Sequence, residues 1–173
     1  EAKKLMAEAG YPSGFKTTLI CNAGAAREQQ AVFAKDQLAK IGIDAEITPV
    51  DQTTLYDRGD RRAFDLLTTT YARNTTDPDE TLYTFYATRG SRNYGDFSDK
   101  AVDGLIDKQA RTLDEGARKG ILTEIEKNIS SQVPSVIPFW DIWQTGAWNE
   151  VKNYRPGPGI HPWGKLDQVW LAK

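Results

Sequence analysis

The chain has 173 residues with a net charge of −2, 39% hydrophobic and 27% charged side chains. That is the balance of an ordinary globular domain, able to bury roughly 70% of its unfolded surface, and it offers no basic field for nucleic acid. Cys21 is the single cysteine and His161 the single histidine, so an internal disulfide and a Cys/His zinc site are both excluded.

Glu1 to Gly10 reads as a helix, with Ala2, Leu5, Met6 and Ala9 on one face and Gly10 as its stop. No initiator Met or leader precedes it, so the chain is expected to be a piece of something longer. Phe15 to Cys21 suits a strand. Ala25 to Ile41 has helical spacing at Ala31, Ala34, Leu38 and Ile41, and Gly42 ends it. Ile43, Ala45 and Ile47 alternate with polar residues as a half-buried strand does. A short helix from Thr54 to Arg62 leads to Phe64–Tyr71, β-branched and aromatic like a central strand. Strand–helix–strand spacing of this kind predicts parallel, right-handed crossovers and an α/β sheet.

Beyond Tyr71, Asp77-Pro78-Asp79-Glu80 is a helix start: Asp77 as cap, Pro78 at the first position, Glu80 closing a capping box. Two helices follow, Asp99 to Arg111 and Asp114 to Ser130, the second with Ile121, Leu122, Ile125 and Ile129 as its buried stripe. Val136 to Trp143 reads as a strand interrupted by Pro138. The tail from Asn149 carries Pro156, Pro158 and Pro162 and reads as irregular, with a last short strand at Val169-Trp170-Leu171. No stretch approaches the ~20 apolar residues of a membrane span.

Ligands of open α/β sheets bind beyond the carboxyl ends of parallel strands. The loop after Tyr71 places Tyr71, Arg73, Asn74 and Asp77 there: an aromatic face, a guanidinium, an amide and a carboxylate leading into a helix N-terminus. Each has a bland role beside the binding one. Tyr71 can finish the strand as core, Arg73 can be a surface charge, Asn74 can be turn chemistry and Asp77 can be a cap. All five tryptophans fall at or after Trp140, and Trp140 can line a cleft or pack in a core.

Several segments resemble bacterial solute-binding proteins of extracellular family 5, the oligopeptide, dipeptide and nickel type. Glu1 to Pro12 is similar to an "A-K-x-L-L-x-E-A-G-Y-P" segment of that family, and Gln37 to Ile43 to "Q-L-x-x-I-G-I". Phe64-Asp65 with Tyr71 to Pro78 resembles "F-D-…-W-…-D-P". Asn93-Tyr94 with Val102 to Ile106 resembles "N-…-Y-…-D-x-L-I". Val133 to Phe139 and Val151 to Tyr154 resemble "x-P-x-I-P-L" and "V-K-G-Y".

The resemblance implies a periplasmic-binding-protein-like α/β lobe of type II, a mixed sheet with flanking helices and only the C-terminal lobe present. Residues 1–148 would be the ligand-binding lobe, and residues 149–173 would cross back toward a missing N-terminal lobe. It implies capture of a small organic solute, peptide or opine-like, in an inter-lobe cleft and delivery to an ABC permease of the inner membrane. The location would be periplasmic, or lipid-anchored and extracellular in a Gram-positive source, with no cofactor and no metal. It adds Asn93 and Trp140, near the cleft in relatives, to the candidate site. In peptide-binding relatives an aspartate at the position of Asn74 pairs with the peptide amino group; an amide cannot, which tilts the expectation toward a non-peptide solute. Thr68 stands where an oligopeptide binder carries a carboxylate-reading arginine.

Two other function classes compete. One is a sensor or interaction lobe that docks on a receptor. The other is an α/β hydrolase using Asp65 or Asp77 as acid or base. No sequence cluster of His, Cys or paired carboxylates supports catalysis, so a binding protein and not an enzyme is expected.

Overall fold

A computed structural model describes residues 1–70, 76–138, 144–155 and 166–172. The chain divides into two compact units, Glu1–Thr70 and Tyr71–Lys173.

The first unit is built as α1 (Ala2–Glu8), β1 (Phe15–Asn22), α2 (Ala25–Ala39), β2 (Ile43–Val50), α3 (Gln52–Asp60) and β3 (Leu66–Leu67). Its described strands run in the order β2-β1-β3, and both pairings are parallel. The β1–β2 register begins with Phe15 opposite Ile43 and runs to Asn22 opposite Val50. The spacing-based expectation of parallel crossovers therefore holds. The middle position does not go to the Phe64–Tyr71 segment: among the described residues β1 is central, and β3 is a two-residue ladder beside it.

Leu19, Ile20 and Cys21, three successive residues of β1, are all buried. A strand alternates its faces, so this run requires cover on both sides of the sheet. Leu19 and Cys21 pack with Ala31 and Ala45, joined by Ala34 and Leu38 of α2. Ile20 points the other way, and α3 contacts β1 while burying Leu55. Burial also raises the Cys21 thiol pKa, with Glu28 adding to it. Asp51 caps α3 by accepting the Thr54 N–H at 3.0 Å, so that helix starts two residues before the expected Thr54. Asp65, just before β3, accepts from the Thr18 backbone N–H at 3.0 Å and hydroxyl at 2.7 Å, tying β3 to β1 by a side chain.

The second unit begins with α4 (Asp79–Thr81), continues through a π-helical turn at Leu82–Tyr86, and adds α5 (Lys100–Ala110) and α6 (Glu115–Gln132). Both longer helices start on the aspartates that the sequence marks. Asp99 accepts from Ala101 and Val102 N–H at 2.8 and 3.1 Å, and Asp114 accepts from Ala117 N–H at 2.7 Å. Gln132 near the end of α6 donates to the other Asp99 oxygen at 2.6 Å. Leu82, Val102, Ile106, Ile121 and Ile125 form the core, with Leu122 and Ile129 packed against it. The predicted α6 stripe is thus the packing face.

The sequence placed two other segments differently. Val136, Ile137 and Pro138 are not in a strand, and the remainder of that expected strand lies outside the described residues. The tail contains the last short strand expected near Trp170, and a partner strand that was not expected. β4 (Val151–Lys152) pairs antiparallel with β5 (Trp170–Leu171), bringing Val151 opposite Leu171.

Candidate functional site

The best-defined polar cluster of the second unit surrounds the start of α4. Asp77 accepts the Asp79 N–H at 2.9 Å, but α4 begins one residue later than expected: Pro78 and not Asp77 holds the cap position, and no side chain caps the helix, so the expected capping box does not form. The same carboxylate receives two bonds from α6: Arg118 Nη2 to Oδ1 at 2.7 Å and Nη1 to Oδ2 at 2.9 Å. Arg118 Nε donates to Gln109 Oε1 at 3.0 Å, and Gln109 Nε2 donates to Asp79 Oδ1. Gln109 is fully buried. The amide therefore spends both its donor and its acceptor on holding the guanidinium against the α4 terminus. The bidentate guanidinium, then the Asp79 N–H, lowers the Asp77 carboxyl pKa to about 2, and the Arg118 pKa is raised in return.

Further bonds strap the segment after α4 to α5. Tyr83 hydroxyl donates to Asp107 at 2.6 Å, which pushes the phenol up to about 12. Thr88 donates its N–H and hydroxyl to Asp103 at 2.9 and 2.6 Å. Ala87 N–H reaches back to Leu82 C=O at 3.0 Å, the wide spacing of the π turn, a feature that recurs at functional sites.

Of the six residues nominated from the sequence, Tyr71, Arg73, Asn74 and Trp140 lie outside the described residues. Asp77 is described above. Asn93 is 5% exposed and acts on its own loop: its amide donates to Ala87 C=O at 3.1 Å and Phe97 C=O at 2.6 Å, and its oxygen accepts the Phe97 N–H at 2.9 Å. It also lines a cleft of about 20 Å³ with Tyr86, Arg92, Tyr94 and Pro134, room for about one water.

Arg118 and Gln109 were not nominated, yet the sequence carries a signal for both. Arg118 lies three and seven residues before Ile121 and Ile125, in phase with the buried stripe of α6. Gln109 lies seven and three residues after Val102 and Ile106 on the buried face of α5. A polar side chain in phase with a core stripe must find a partner there.

Residues 1–93 match the family of bacterial extracellular solute-binding proteins, family 5 Middle. The chain belongs to this family. Among family 5 relatives, the nickel-binding protein NikA of Staphylococcus aureus is 32% identical over 168 residues, covering 93% of this chain and 34% of its own length. The solved structure of the periplasmic binding protein DppA from Helicobacter pylori, in complex with peptide STSA, is 28% identical with a TM-score of 0.69. That alignment covers 76% of this chain and 27% of DppA. The binding protein AgaA from A. tumefaciens R10, in complex with agropinic acid, is 25% identical with a TM-score of 0.68, over 76% of this chain and 28% of AgaA. The chain spans about a third of the length of the curated relatives it matches. Its fold is thus part of a type II periplasmic-binding-protein lobe, α/β as expected. No described helix is long and apolar enough to cross a membrane.

Proposed function

We propose that this chain is the C-terminal lobe of the solute-binding component of a bacterial ABC importer. The protein captures a small organic solute between this lobe and an N-terminal one, then delivers it to the permease in the inner membrane. It acts in the periplasm, or lipid-anchored outside the cell in a Gram-positive source, and it performs no catalysis. Residues 1–148 form the ligand-binding lobe and residues 149–173 cross back toward the N-terminal lobe.

The observation that carries this reading is the exit of the chain from the parallel sheet. β3 runs parallel to β1, so Thr68 to Thr70, which follow it, lie at the carboxyl end of the strands, within the stretch that matches the family. Tyr71, Arg73, Asn74 and Asp77 on that loop, with Asn93 and Trp140, form the solute site. The ligands of DppA and AgaA, a peptide and agropinic acid, support a small organic solute as the ligand class. Asn74 brings no charge to the loop, which favours a non-peptide solute such as an opine-like compound.

Mass spectrometry of small molecules released from the full-length protein, purified from its host without denaturation, tests this. A stoichiometric organic solute of low mass is the expected result. A protein that carries none, and that binds none from a panel of peptides, amino-acid conjugates and organic acids, is not a solute-binding component.

A further inference from the structure

α6 stops on an unusual residue. Val133 has φ +48° and ψ +51°, and its N–H closes the helix on Ile129 C=O at 3.0 Å. Positive φ at such a stop is the place of glycine, as at Gly10 after α1, or of asparagine. Of the four non-glycine residues with positive φ among the described residues, Val133 alone is β-branched, so its side chain crowds the backbone there. It also precedes Pro134, a position that favours extended backbone. Packing does not repay this, because Val133 is 60% exposed.

The conformation is held from both sides. Before Val133, Gln132 donates to Asp99 at 2.6 Å and pins the end of α6 to the start of α5. After it, Pro134 and Ser135 lie against the π turn and the loop that follows. A Cβ on Gly95 would stand 3.4 Å from Pro134 C=O, and the Ser135 and Tyr86 hydroxyls are 3.5 Å apart. The two holds are unequal: the first is a short bond, and the second is at the outer limit of one. That second bond is also the one made by residues 134–138 among the described residues. Val136 and Ile137, further along, are exposed. The cleft of about 20 Å³ lies between Pro134 and Ser135 on one side and Tyr86, Asn93 and Gly95 on the other.

We infer that residues 134–138 form a strap hinged at Val133 and latched by Ser135 on Tyr86, and that the closed latch is what holds Val133 in its crowded conformation. When the strap leaves, Val133 relaxes to the extended backbone preferred before proline, the Tyr86 hydroxyl is freed, and the cleft beside Asn93 widens. The strain works against a weak latch, so the closed and open positions lie close in free energy and the strap is a two-state element.

Hydrogen exchange of the full-length protein, followed on the α6 peptide 115–132 where exchange reports the opening equilibrium, tests this. Val133→Gly takes positive φ without crowding. It should slow α6 exchange by about fivefold or more, although glycine ordinarily weakens a fold. Tyr86→Phe keeps the ring and removes the latching hydroxyl. In that background Val133 has already relaxed, and the same glycine substitution should no longer slow exchange. Ser135→Ala cuts the latch from the other side and should behave alike, so the result does not depend on one variant folding. Exchange that is unchanged or faster in Val133→Gly alone overturns the strained hinge. Equal slowing by Val133→Gly with and without the latch overturns the strap, since the strain would then belong to the helix end alone.

Discussion

Gly14 and Gly42 meet back to back where β1 and β2 begin: a Cβ on Gly14 would lie 1.8 Å from the Gly42 carbonyl oxygen. That same carbonyl accepts the Phe15 N–H at 3.3 Å, opening the parallel ladder. Both glycines have positive φ, +75° and +94°. Gly14→Ala should therefore destabilise the protein by about 2–4 kcal/mol, combining a clash with backbone and a disfavoured dihedral. Gly10 has φ +89° but open space around it, so Gly10→Ala should lose only the dihedral part, about 1–2 kcal/mol. Urea denaturation of both variants measures the difference; equal losses would mean that the close approach is not the constraint.

Asn93 is a loop staple as well as a candidate site residue. Asn93→Ala removes three hydrogen bonds and strands the Ala87 and Phe97 backbone groups that they satisfy. The expected loss is about 2–3 kcal/mol of stability. Thermal and chemical unfolding check it, and a variant as stable as wild type would exclude Asn93 as a staple of this loop.

The α5–α6 seam is the core of the second unit. Ile106 and Ile125 are 0% and 1% exposed and share one cluster. Ile106→Ala or Ile125→Ala should cost about 2–5 kcal/mol through lost burial and the cavity left behind. Because the two share neighbours, the double variant should deviate from the sum of the singles, as a double-mutant cycle would reveal.

Acid should weaken the Asp77–Arg118 pair in a defined window. The Asp77 pKa is lowered in the folded protein to about 2, against about 3.9 for an unperturbed aspartate. A depressed carboxyl pKa adds stability that is fully present above the unfolded value and is lost as pH falls from about 4 through about 2. Arg118→Gln should flatten that part of the stability profile. Denaturation midpoints measured across this range in both proteins give the comparison, and parallel curves would exclude the pair as the source.

Tyr71→Ala in the full-length protein should weaken solute binding by about 1–3 kcal/mol, the scale of an aromatic anchor. The solute recovered from the native protein is the ligand to titrate, and an unchanged dissociation constant would remove Tyr71 from the site.

The sequence by itself determined the local elements and the family. Helical spacing of Ile121, Ile125 and Ile129, the caps Asp99 and Asp114, and the alternation of Ile43, Ala45 and Ile47 all depend on neighbours within a few residues. Such signals are written in spacing, so they are legible without a fold. Only the tertiary structure decided that β1 and not β3 is central, that the Leu82–Tyr86 turn is π-helical, and that Val151 meets Leu171. It also decided the partner of Asp77, which lies 41 residues away on α6. Contacts across such a separation leave no periodic trace; they arise when packing of the α5–α6 core brings an otherwise ordinary arginine beside an otherwise ordinary carboxylate.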